Sequence, residues 1–163
     1  MTISPKKSWI GYPSAQVLGF RVDGVGLATT KERMAAFAQL KFPNNLAALE
    51  SYIGAAGFLR HLIPYFAKLI DPLQRRKVQL LKAGREAGKV ADNNKNKRKA
   101  YCRVTTFEPT TEEIMAFEAV QAEIASGRML THDDPNKRLY CQVDASLERG
   151  FAAVLFHTKD NYN

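Results

Sequence analysis

The chain has few cysteines, which form the disulfides of secreted proteins, and none of the long apolar runs that cross membranes. Its 163 residues include two cysteines, Cys102 and Cys141, and neither stands at zinc-ligand spacing. Nothing in this pattern calls for disulfides, which favours an intracellular, reducing environment without choosing between cytoplasm and nucleus. No stretch approaches the roughly 20 apolar residues of a membrane span, and the N-terminus lacks a secretory signal, so we expect no membrane contact.

Acidic residues are scarce in one segment of the chain. Residues 75–103 contain 11 Lys and Arg against two acids, whereas the remainder has 13 basic and 14 acidic residues. The formal charge of +8 therefore belongs to this segment, which predicts either contact with a polyanion or a solvated linker. Residues 92–99 also lack periodicity and large apolar side chains, so we predict a disordered basic insert over 82–106.

Cations of this segment are the first candidates for a nucleic-acid contact. Lysine and arginine neutralise phosphates, and Tyr101 is available to stack on a base. Arg60, with Arg75, Arg76 and Lys77, forms a second group near apolar helices. The alternative is that these charges only keep a linker in solution. The candidate contacts are Arg60, Lys95, Lys97, Arg98, Lys99 and Arg103.

Local signals in the N-terminal half predict a hairpin and a helix. Strand-forming residues at 17–27 surround Asp23-Gly24, a strong hairpin signal. Thr29 to Glu32 fits a capping box for a short helix that Pro43 ends.

The next helix has its own start and stop signals. Asn44 or Asn45 can cap it, Pro64 breaks it, and Asp71-Pro72 stops its continuation. Gly54 and Gly57 each cost up to about 1 kcal/mol against alanine, which predicts close approach of another backbone.

The C-terminal part predicts a helix followed by a hairpin. Thr110 to Glu113 forms a second capping box, and Gly127 is placed to end the helix. Residues 139–146 then alternate apolar and polar side chains, and the apolar residues 151–156 predict a more buried partner strand. This hairpin carries one carboxylate, Asp144, at the end of its first strand.

The order of several motifs resembles a known family. Val17-Leu18-Gly19-Phe20 is similar to the strand that follows a polymerase palm, and the run from Leu49 to Ile63 is similar to a thumb segment. Asp71-Pro72-Leu73 resembles the end of that segment. Val143-Asp144-Ala145-Ser146 resembles the first hairpin of a ribonuclease H-like region. From Gly11 to Lys159 the chain thus resembles the pol polyprotein of gypsy-type LTR retrotransposons, across the join of reverse transcriptase and ribonuclease H.

From these patterns and the resemblance together we expect an α+β chain with an N-terminal β-hairpin, a helical thumb-like middle, a disordered basic insert, and a helix plus β-hairpin. The last two elements would open an incomplete RNase H-like fold. The implied divisions are a polymerase strand and thumb at 9–81, the basic linker at 82–106, and the truncated RNase H-like part at 107–163.

Ribonuclease H chemistry needs several carboxylates around Mg²⁺, and the resemblance makes Asp144 the first of them, as a vestigial catalytic residue and metal ligand. One carboxylate is a poor Mg²⁺ site, and Asp144 with Ser146 can instead cap a turn. Asp133-Asp134 precedes Pro135 and predicts a turn rather than a polymerase centre. Whether the chain is an enzyme stays open.

The expected function is that of a retroelement fragment. Its partners would be the remainder of a pol polyprotein and, weakly, an RNA–DNA hybrid or duplex. It would bind no Mg²⁺ and perform no catalysis alone. The alternative is a nucleic-acid-binding module that uses the basic segment.

Overall fold

The chain forms two compact units, Met1–Thr131 and His132–Asn163. A computed structural model describes residues 11–90, 95–132, 134, 136–146 and 150–157, with the backbone alone at 144–146, 150–152 and 157. The α+β class is confirmed, since helices and two antiparallel sheets are both present. The predicted divisions at 9–81, 82–106 and 107–163 stay a prediction, and the helix after residue 107 lies in the first unit.

A four-stranded antiparallel sheet holds the two ends of the first unit together. Its strands lie in the order β1 (Ser14–Val17), β2 (Phe20–Asp23), β3 (Gly26–Thr29) and β4 (Met129–Thr131). The predicted turn at Asp23-Gly24 is confirmed. The Asp23 carboxylate accepts hydrogen bonds from the amides of Val25 (3.0 Å) and Gly26 (3.1 Å). Strands β1 and β4 were not predicted, because three or four residues are too few to show a period.

The described residues also form five helices and one 3₁₀ turn. The elements are α1 (Lys31–Ala38), α2 (Leu46–Phe58), the turn Arg60–Leu62, α3 (Phe66–Glu86), α4 (Lys95–Val104) and α5 (Thr111–Ala125). Helix α3 packs on α5 and α2, and α4 packs on α2. The largest fully buried side chains lie between them: Leu46, Leu49, Leu59, Leu73 and Val120. Among the described helices, none is both long enough and apolar enough to span a membrane.

Helix ends follow the local signals closely. Asn45 caps α2 by accepting from the amide of Ala48 (2.8 Å), and Thr110 with Glu113 forms the predicted capping box of α5. Gly127, at φ +65°, follows the end of α5 as predicted. The box predicted at Thr29 is wrong by one residue, since Thr30 caps α1 and Glu32 does not take part.

The predicted stop at Asp71-Pro72 is wrong, because Pro72 lies inside the 21-residue α3. A proline in a helix interior costs about 3 kcal/mol. Ile70 and Leu73 on either side of it are buried in the core, and their burial offsets that cost.

The predicted disordered insert is also wrong over residues 95–104, which form α4. Three contacts order it. Arg98 forms an ion pair with Glu50 of α2, Cys102 is buried, and the Tyr101 hydroxyl donates to the carbonyl of Leu80 (2.9 Å). Tyr101 and Cys102 lie beyond the pattern at 92–99, and the partner of Arg98 is distant in sequence, so these contacts were not visible there. Lysine, arginine and alanine form helix readily once a core supports them. Residues 91–94 lie outside the description.

In the second unit, β5 (Leu139–Ser146) and β6 (Gly150–His157) form the predicted antiparallel hairpin. The turn predicted at Ser146–Gly150 includes residues 147–149, which lie outside the described residues. Asp133 and Pro135 of the other predicted turn lie outside them too. The expected burial of the second strand is not observed at Val154, Leu155 or Phe156, which are all exposed.

Candidate nucleic-acid interface

Five of the six predicted nucleic-acid contacts lie on one short helix. Helix α4 carries Lys95, Lys97, Arg98, Lys99 and Arg103. All are exposed except Arg98, which is half-buried. Positions 95, 99 and 103 are spaced by four residues, so Lys95, Lys99 and Arg103 share a face of the helix. The structure therefore brings these cations together as an ordered row, in place of the loose linker that the sequence predicts.

The cations of α4 differ in whether an acidic side chain neutralises them. Arg98 is neutralised by Glu50, and the same pair lies beside the buried Cys102, whose pKa is raised by burial and by the Glu50 carboxylate. Within the described residues, neither Lys99 nor Arg103 has an acidic partner. Both line a groove of about 460 Å³ between α4 and α2, with Ala47, Glu50 and Ser51 on its opposite wall. Two positive charges thus face an open groove.

The outer face of α2 continues from this groove, and its one charged side chain, Glu50, is paired with Arg98. Ala47, Ser51, Gly54, Ala55 and Phe58 follow helical spacing on the side opposite the buried residues, and all but the half-buried Ala47 are exposed. An exposed helix face normally carries charged or long polar side chains, so this one is unusually smooth. We call these five residues the α2 stripe. At 1.5 Å per residue α2 is about 20 Å long, which matches about six base-pair steps of a duplex.

Two glycines make close approach to α2 possible. A Cβ atom at Gly54 or Gly57 would meet nothing within 4 Å among the described residues. The predicted approach of another backbone of this chain is therefore not observed. Gly54 lies on the α2 stripe, so its open side is accessible to a bound molecule.

The far end of the α2 stripe carries aromatic and basic side chains. Phe58, 47% exposed, stacks on Phe20 at 5.0 Å between ring centres, and the Arg33 guanidinium lies 4.7 Å from the Phe58 ring. His61 packs on Phe20, and burial together with Arg60 lowers the pKa of its imidazole. Arg60 follows in the 3₁₀ turn and is exposed. It is therefore separated from the α4 cations by the length of α2.

The other arginines of the basic segment are used within the fold. Arg75 pairs with Asp71 and Glu112, both at 2.8–2.9 Å, and Arg76 pairs with Glu113 at 2.6 Å while lying over Phe107. These contacts join α3 to α5. Tyr101, predicted as a stacking residue, is half-buried against α3 and does not face outward.

The structure gives no metal site to examine in the described part of the chain. Among those residues, no group of three or more His, Cys, Asp and Glu side chains is placed to hold a metal. Asp144 is the sixth residue of β5, near the turn end of the strand and opposite Ala152, as the hairpin predicts. Its side chain lies outside the description, so its role stays a prediction.

Sequence reasoning missed the α2 stripe and Arg33. Gly54 and Gly57 were one signal for this surface. Their cost in a helix was noted, but it was attributed to packing within the chain. The lack of charge at positions 47, 51, 54, 55 and 58 was a second signal, visible only once the buried side of α2 is known.

Part of the chain is similar in sequence to a viral polyprotein. A 71-residue stretch, 44% of the chain, is 32% identical to the Pro-Pol polyprotein of Simian foamy virus type 3 (strain LK3), of which it covers 6%. No protein-family model matches the chain.

Solved structures of the foamy viral protease-reverse transcriptase share the fold. The complex with dsDNA has a TM-score of 0.62 at 20% identity and covers 93% of this chain and 27% of that chain. The complex with an RNA/DNA hybrid gives 0.58 at 21% identity, covering 93% and 20%. The dRH form with ds DNA gives 0.59 at 19% identity, covering 88% and 21%.

The chain spans about a quarter or less of the length of these relatives. It is thus similar in sequence to part of a retroviral Pol polyprotein and shares an α+β fold with part of the foamy viral protease-reverse transcriptase.

Proposed function

We propose that the first unit binds a nucleic-acid duplex, DNA or an RNA–DNA hybrid, along the α2 stripe. The single observation that carries the proposal is an uncharged, glycine-containing helix face with positive charges at both ends. Lys99 and Arg103 lie at the α4 end, and Arg33 and Arg60 lie at the other. The solved complexes of the foamy viral enzyme, which contain dsDNA or an RNA/DNA hybrid, support this choice of ligand.

The charge arrangement suits a polyphosphate backbone. Phosphates supply most of the affinity of such complexes through the release of counterions, which requires cations without acidic partners. Within the described residues, Lys99 and Arg103 meet that requirement, whereas Arg75 and Arg76 do not. The smooth α2 stripe between the charged ends allows the edge of a duplex groove to come close. A long side chain there would keep the duplex away.

Gly54→Leu tests the role of the α2 stripe. Leucine has a helix propensity about 1 kcal/mol better than glycine, and the space around Gly54 is open, so the fold should be as stable or more stable. Binding of a fluorescent duplex should weaken about tenfold or more, because the leucine side chain blocks close approach. Fluorescence anisotropy and urea unfolding measure the two effects.

Ala83→Leu is the matched control, since Ala83 is an exposed small residue on α3 away from the α2 stripe. It should leave the affinity unchanged. Equal affinity of the Gly54→Leu variant and the unmodified protein for the duplex would refute the proposed interface.

We also propose that the chain derives from a gypsy-type LTR retroelement. The first unit would correspond to the reverse transcriptase thumb and connection, and the β5–β6 hairpin to the opening of an RNase H-like domain, with the rest of the Pol protein as partner. Asp144 would then be one of several carboxylates that Mg²⁺-dependent cleavage needs. The chain alone should therefore not cleave an RNA–DNA hybrid with Mg²⁺. Cleavage that Asp144→Asn abolishes would contradict this.

The alternative is a nucleic-acid-binding module that works without the rest of Pol. The ordered row of cations on α4 favours it over a solvated linker. The two possibilities share the same interface and differ in whether the isolated chain is sufficient for binding.

A further inference from the structure

A second concave surface adjoins the α2 stripe. A cleft of about 320 Å³ lies between α2 and the segment after α1, and we call it the α2 cleft. Leu40 and Pro43 form one wall, and Ala48, Tyr52 and Ala55 form the other. Ser51 and Ala55 belong to both the cleft and the α2 stripe. A molecule lying on the stripe is therefore directly beside the opening of the cleft.

The walls of the cleft are fixed by contacts with α5. The Gln121 side-chain amide donates to the carbonyls of Leu40 (2.9 Å) and Phe37 (3.2 Å), which holds the segment after α1. The Tyr52 hydroxyl donates to the carbonyl of Phe117 (3.2 Å), and its buried ring packs on Phe37 and Phe117, which fixes this part of the wall. The cleft is therefore preformed, and filling it costs little reorganisation.

The chemistry of the lining is apolar with one cation at the edge. The Ser51 hydroxyl is already bonded to the carbonyl of Ala47 (3.0 Å). Lys41 is exposed, and among the described residues it has no acidic partner. Leu40 is 42% exposed and has no covering group among those residues, although it is a large aliphatic side chain. The lining therefore suits a flat apolar group joined to an anion.

We propose that the α2 cleft takes one unpaired nucleobase of a bound strand, with the adjoining phosphate on Lys41. This inference rests on the proposed function, because the strand is the one that lies on the α2 stripe. The cleft volume is at the low end for ligand sites and admits one ring system rather than a peptide segment. An unpaired base pays little to leave a stack, so insertion between apolar walls is favourable. The protein thereby prefers a duplex that carries an unpaired base.

Two arms of one experiment test the proposal. In the first, anisotropy compares a fully paired duplex with the same duplex carrying one unpaired adenine. The unmodified protein should bind the second about tenfold more tightly, as expected from base stacking on a protein surface. Ala48→Leu, which fills the cleft at a helical position, should remove that preference and leave affinity for the paired duplex unchanged. Lys41→Gln should reduce the preference, and Ala83→Leu should leave it intact.

In the second arm, NMR follows methyl groups of Leu40, Ala48 and Ala55 during titration with deoxyadenosine 5′-monophosphate and, separately, with deoxyribose 5-phosphate. The nucleotide should shift these signals, and the sugar phosphate should shift them at least fivefold less. Equal shifts from both, or nucleotide shifts that persist in Ala48→Leu, would overturn base insertion.

The two arms separate the cleft from the interface. If no duplex binds but the nucleotide shifts the cleft signals, the proposed function fails and the base site stands as a mononucleotide site. If both duplexes bind equally and the nucleotide does not bind, the interface stands and the cleft inference is refuted.

Discussion

Arginine side chains lie at two contacts between helices, α3 with α5 and α4 with α2. The two contacts differ in how far carboxylates neutralise the positive charges. Where α3 meets α5, Arg75 and Arg76 are paired with carboxylates of α5. Where α4 meets α2, Arg98 is paired with Glu50, and the neighbouring Lys99 and Arg103 face an open groove. Both sets of cations come from the same basic segment of the sequence.

The comparison shows that the number of charges does not identify a binding surface. The segment has an excess of nine positive charges, but part of it holds helices together. Helix α5 supplies carboxylates at Glu112 and Glu113, whereas the α2 face supplies one, Glu50. The cations that remain for a polyanion are those that the fold places beside small, uncharged residues.

The largest expected effect comes from breaking the α3–α5 contact. Arg76→Met leaves the buried Glu113 carboxylate without its cation, although the amide of Thr110 still donates to it (2.9 Å). Loss of one partner of a buried ion pair is strongly destabilising, so the free energy of unfolding should fall by about 2–3 kcal/mol. Urea unfolding followed by circular dichroism measures this.

Arg75→Met is the matched control for that change. Arg75 and its partner Glu112 are both exposed, and exposed ion pairs contribute little to stability. Its effect on unfolding should be much smaller than that of Arg76→Met. If the two variants were equally destabilised, burial of Glu113 would not be what distinguishes the pairs.

Removing cations from the α4–α2 groove should change stability less and should strongly weaken duplex binding. Lys99→Gln with Arg103→Gln removes two cations that hold nothing together within the described residues. Duplex affinity should fall about tenfold at low salt, and the slope of log affinity against log salt should become shallower by about 1.8. Unfolding in urea should be nearly unchanged.

Arg75→Gln with Lys82→Gln removes the same charge from α3, where both cations have carboxylate partners. Affinity should change much less. An equal loss in both double variants would mean that net charge alone governs binding, and the contrast between the two helix contacts would have no functional meaning.

Local features of the fold were predictable because their causes are local. Asn45, Thr110 and Gly127 act on amides or backbone angles within a few residues, and the structure places all three as expected. The β5–β6 hairpin likewise follows from the alternation at 139–146 and the apolar run at 151–156. The five predicted α4 contacts were found from composition, since clustered cations are visible without any fold.

The remaining features depend on contacts between distant segments. Order in α4 comes from contacts with Glu50 of α2 and Leu80 of α3 and from the core around Cys102, and both partners lie outside residues 92–99. Pro72 is tolerated because its neighbours are buried. The uncharged α2 stripe becomes visible only when the opposite side of the helix is known to be buried.

The sequence by itself determined where most elements begin and end, which segment carries the positive charge, and the resemblance to Pol proteins. Tertiary structure decided which cations are neutralised and which face a groove, because the ion pairs of Arg76 and Arg98 join side chains of separate helices. It also decided that α4 is a helix, since a short basic helix is stable only when burial of a few residues offsets its loss of conformational entropy.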